Sequence, residues 1–103
     1  MVKKRLKIIW DDESKRSLRS IFEYIKNRES IRVATKVRSE IIKQTKTLNR
    51  LPEKFEKEPI LKNEGGNFRY KVVWSYKIIY EITQDSIYIL DVFHTSRDPS
   101  TLR

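Results

Sequence analysis

The 103-residue chain has no cysteine and only one histidine. Without thiols it can build neither a disulfide framework nor a thiolate metal site, and a single imidazole excludes a histidine-based metal cluster. No apolar run approaches the ~20 residues needed to cross a bilayer. The opening residues, MVKKRLKIIW, lack the apolar core and cleavage site of a signal peptide. Repeats and low-complexity tracts are missing too. The default address is the cytoplasm, with no membrane partner.

What is present suits one domain, residues 1–103. A chain of this length is too short for two cores but buries roughly two thirds of its unfolded surface. Hydrophobic residues at 38% and aromatics at 11% supply a core, while 36% charged residues keep the surface wet. The net charge is +9 and unevenly spread. Residues 1–61 hold 17 Lys and Arg against 9 Asp and Glu, whereas residues 62–103 hold 6 against 5. A basic N-terminal part suits an acidic protein partner as well as nucleic acid.

Hydrophobic periodicity gives the elements. Lys4 to Trp10 alternates, with Leu6, Ile8 and Trp10 on one side, and predicts a strand. Asp11, Asp12 and Glu13 then provide a cap and first-turn acids for a helix over 12–27, whose apolar stripe is Leu18, Ile21, Phe22 and Ile25. Ser30 can cap a second helix with Ala34, Val37, Ile41 and Leu48 on its apolar side, ended by Leu51-Pro52. Residues 52–66, with two prolines, four glutamates and Gly65-Gly66, read as an irregular connection. Strands follow at 68–73, 76–83 and 86–93, joined by tight turns at Trp74-Ser75 and Gln84-Asp85. The order β-α-α-β-β-β predicts an α+β fold, a helical hairpin packed on one face of a small, mostly antiparallel sheet. The other face is left open or partly open to solvent.

Tyr76, Ile78, Tyr80 and Ile82 share the face that belongs against the helices. Arg69 and Lys71 alternate with apolar residues in the preceding strand, and Lys77 lies in the next. If the hairpin brings all three to one side, they form a patch fit to bind a phosphate; otherwise they are ordinary solvated residues. His94 ends the last strand, as a general acid or phosphate contact or as a residue bonded to a nearby carbonyl, and Arg97 follows it. On the second helix Arg32, Lys36, Lys43, Lys46 and Arg50 fall within one stripe at ~100° per residue, nearly opposite the apolar one. That stripe is either a solvated face or a docking face for an acidic macromolecule.

The strand ending in Trp10, the two helices closing in L-N-R-L-P, the segment YKIIY at 76–80 and the segment VFHTSRD at 92–98 together resemble the RelE/ParE superfamily. These are toxins of bacterial type II toxin–antitoxin modules, also called plasmid stabilisation proteins. The resemblance spans essentially the whole chain, and its implied fold agrees with the order read above. RelE-like members are ribosome-dependent mRNA endoribonucleases. On that branch Arg69, Lys71, Lys77 and Arg97, with His94 in reserve, match the basic catalytic set, but only six residues follow Arg97 and none is Tyr or His. ParE-like members instead inhibit DNA gyrase by protein contact, and the His-Thr-Ser-Arg-Asp ending is closer to that branch. Lys71 departs from it, since ParE-like sequences tend to be apolar there. Both branches imply a cognate acidic antitoxin that folds along the toxin as a hetero-oligomer, and neither implies a metal or organic cofactor. A third alternative is a decayed or regulatory relative that only binds its antitoxin.

Overall fold

Asp11 closes the first strand and opens the first helix. In the computed structural model, which describes residues 6–50, 52–61 and 64–96, strand β1 spans Lys7–Trp10 and helix α1 spans Asp12–Arg28. The Asp11 carboxylate accepts the Ser14 N–H at 2.8 Å. Asp12 and Glu13 sit in the first turn of α1, and Lys26 and Arg28 in the last, each matched to the local helix dipole. Ser30 caps α2, Ile31–Lys46, by accepting the Val33 N–H at 3.1 Å. This helix ends earlier than its apolar spacing predicts. The Thr45 and Thr47 hydroxyls donate to the Ile42 and Gln44 carbonyls at 2.7 Å each, and Thr47–Asn49 tightens into a 3-10 turn. Leu48 still reaches the core from that turn.

Strands β2, Asn67–Val73, β3, Tyr76–Ile82, and β4, Ser86–His94, complete a sheet of order β1-β4-β3-β2. Only β1 runs parallel to its neighbour, which requires the intervening helical crossover. Ile78, Tyr80, Ile87, Ile89 and Val92 meet Ile41 and Leu48 in the main core, flanked by Ile8, Trp10 and Leu18. Each such fully buried aliphatic side chain contributes about 1.5–3 kcal/mol. The Tyr80 hydroxyl donates to the Pro52 carbonyl at 2.7 Å, and burial pushes its pKa up to about 12.

The second sheet face is less open than the pattern implies, because the connection before β2 is structured. Between short 3-10 turns at Pro52–Lys54 and Pro59–Leu61, Lys57 bridges antiparallel to Arg69. The Glu58 N–H donates to the Phe68 carbonyl at 2.8 Å, and the Tyr70 N–H to the Glu56 carbonyl at 3.0 Å. Leu61 is thereby packed on that face with Tyr70, Ile79, Leu90 and Phe93.

A bulge in β4 serves both faces. Ile79 pairs with Asp91 and Tyr80 with Ile89, so Leu90 is the extra residue. Leu90 joins the second cluster, while Asp91 turns to α1 and accepts the Ser17 hydroxyl at 2.6 Å and the Val92 N–H at 2.9 Å. Replacing the buried Asp91 by alanine orphans both donors. It is expected to cost about 2 kcal/mol, read from the urea midpoint, with Ser17→Ala costing less.

Candidate functional site

The β2–β3 register separates the cations that the phosphate-site reading groups together. Lys71 pairs with Ile78 and Arg69 with Tyr80, which places both on the helix side. Lys77 pairs with Val72 and points to the other face. The three therefore do not converge. Each is also engaged where it sits. Arg69 Nη1 donates to the Glu53 and Phe55 carbonyls at 3.1 and 2.7 Å, and its Nε to Asn67 at 3.1 Å. Lys71 donates to Gln44 Oε1 at 2.7 Å and lies 4.8 Å from the Phe55 ring centroid. Burial, followed by the charge of Lys54, lowers the Lys71 pKa. Lys77 lies 2.9 Å from the fully buried Glu58 Oε2 and 4.3 Å from the Tyr70 centroid. The other carboxylate oxygen of Glu58 accepts the Ile60 N–H at 3.2 Å. These three cations fasten residues 52–61 and the end of α2 to the sheet.

Arg97 lies outside the described residues. His94 is exposed at the end of β4, with its ring 5.4 Å from Tyr76 in an edge-to-face contact. Its Nδ1 accepts the Ser96 N–H at 3.1 Å, so in the neutral ring the proton belongs on Nε2. Arg32, Lys36, Lys43, Lys46 and Arg50 are all exposed. The first four lie on α2, and Arg50 lies beyond its end after a 3-10 turn, so α2 itself carries four of these five exposed cations.

Two concavities flank α1. One, of about 440 Å³, has Trp10, Leu18, Phe22 and Ile42 as its apolar wall, with Lys15, Arg19 and Arg38 among its polar lining. The Arg38 guanidinium stacks 4.2 Å from the Phe22 centroid. The alternating and helical patterns assign Trp10 and Phe22 to the core, but both are only half-buried. The other, of about 630 Å³, is lined by Arg16, Ser20, Tyr24, Tyr76 and His94 over Ile21 and Val92. At ~100° per residue, the α1 residues lining the two lie on opposite flanks of the helix.

A family model for the ParE toxin of type II toxin–antitoxin systems, parDE, matches residues 8–99. The chain belongs to the ParE toxin family. A solved structure, the chromosomal ParDE toxin–antitoxin system from P. aeruginosa, has a chain similar in fold at 17% identity and a TM-score of 0.74. The match covers 87% of this chain and 96% of that one. No curated protein matches the chain.

In this ParE-family chain, among the described residues, the concavities beside α1 and the cations of α2 are exposed, while the cations of β2 and β3 lie apart. No helix among the described residues is long and apolar enough to cross a membrane.

Proposed function

We propose that the chain is the toxin of a type II toxin–antitoxin module, arresting growth by binding DNA gyrase and neutralised by a cognate acidic antitoxin. The observation that carries this reading is the ParE family match over residues 8–99. The separation of Lys77 from Arg69 and Lys71 supports contact inhibition over phosphodiester cleavage, because cleavage needs its cations around one phosphate. The groove of Trp10, Phe22 and Ile42, with Lys15, Arg19 and Arg38 beside it, fits an amphipathic helix with an acidic flank. The exposed cations of α2 extend the positive field that would attract such a partner.

Induction in a bacterial host is expected to halt growth, and purified protein is expected to inhibit supercoiling by gyrase and to accumulate cleaved DNA complexes at micromolar concentration. Growth arrest with fully active gyrase and codon-positioned cuts in mRNA would overturn the reading. So would unimpaired growth on induction.

A further inference from the structure

Val73 pairs with Tyr76, so Trp74 and Ser75 alone make the turn between β2 and β3. Trp74 has φ of 53°, in the left-handed region, and is the one non-glycine residue there among those described. Two-residue hairpin turns favour glycine, asparagine or aspartate at such a position, and a large side chain held there is strained. The larger part of this side chain is open to solvent, Trp74 being 54% exposed. The turn is nonetheless held firmly. The Ser75 carbonyl accepts the Thr95 N–H at 2.8 Å, joining the turn to the residues after β4. Tyr76 follows at once, packed edge-to-face on His94.

On backbone grounds alone a glycine would suit this turn better than an indole left more than half exposed. Its surroundings carry more unburied apolar surface. Tyr24, on the larger cleft with Tyr76 and His94, is 61% exposed and carries the Arg28 guanidinium 5.3 Å from its ring centroid. Arg16 also lines that cleft, paired there with Glu13 at 2.8 Å, so the cation beside the aromatic surface is Arg28. Rigid aromatic residues beside arginine are the usual composition of protein-binding hot spots.

We infer that Trp74, with Tyr24 and the adjoining cleft, is the anchor by which the chain grips its protein target, a folded partner offering an apolar socket with an acidic rim. This inference rests on the proposed toxin reading and assigns the target a surface on the opposite flank of α1 from the groove offered to the antitoxin. The antitoxin and a second copy of the chain are the competing occupants.

Trp74→Gly separates them, because it removes the indole and relieves the turn. The expected result is an unchanged or higher melting temperature, unchanged antitoxin affinity, and at least a tenfold loss of gyrase binding and growth arrest. Tyr24→Ala should lose binding in the same direction. Wild-type arrest that persists undiminished in Trp74→Gly overturns the inference and leaves the toxin reading intact. A wild-type chain that arrests nothing overturns the toxin reading and the inference with it. A lower melting temperature, a loss of antitoxin binding, or a dimer in the wild type that Trp74→Gly abolishes each overturns the anchor alone.

Discussion

Lys77→Met is expected to lower stability by about 3–5 kcal/mol, because it strands the Glu58 carboxylate in the interior. For a domain of this size that corresponds to a fall in melting temperature on the order of 10–20 °C. The loss arises less from the ion pair itself than from leaving a buried charge without its counterion. Removing both charges together should therefore restore most of it, and Lys77→Met with Glu58→Leu is expected to melt within a few degrees of the parent. The same pair of variants tests the chemistry. If Lys77 acted on a phosphate, the refolded double variant would be stable yet unable to arrest growth. If Lys77 only fastens residues 52–61 to the sheet, the double variant keeps its toxicity. Melting curves and growth on induction, measured side by side, distinguish the two outcomes.

Phe22→Asp is expected to leave the toxin active while weakening neutralisation at least a hundredfold. Phe22 is half-buried in the groove beside Trp10 and under Arg38, so polar replacement there removes apolar contact without opening the main core. It also sets a negative charge against an acidic partner, a like-charge clash that costs further affinity. Co-expression with the antitoxin should then fail to rescue growth, and titration calorimetry of the purified pair should show the affinity loss directly. Arg38→Ala should weaken binding in the same direction but less, since it removes the stacked cation and leaves the apolar wall in place. Rescue of growth as complete as for the parent would place the antitoxin elsewhere.

Much of this architecture is legible in the sequence because the determinants are local. Asp11 and Ser30 cap the helices they precede, and Tyr76, Ile78, Tyr80 and Ile82 turn inward as their alternation requires. The dispersal of the cations also follows from the turn. A two-residue turn at Trp74-Ser75 opposes Val73 to Tyr76, so odd positions of β2 face even positions of β3. Arg69 and Lys71 must then lie across the sheet from Lys77. Other features depend on distant partners and leave no local mark. Nothing near Lys77 announces Glu58, and nothing near Leu61 announces the second cluster with Ile79 and Phe93. The extra Leu90 in β4 has no turn residue to signal it. Trp74 is misleading in a more informative way, since backbone preference argues against tryptophan at positive φ.

The chain has only two tryptophans, Trp10 and Trp74, and they stand on different surfaces, one walling the groove and the other crowning the hairpin. Each is a built-in fluorophore for its own neighbourhood. With one indole replaced, emission from the survivor reports occupancy of a single surface without any dye, and the order in which two partners arrive can be followed by light alone.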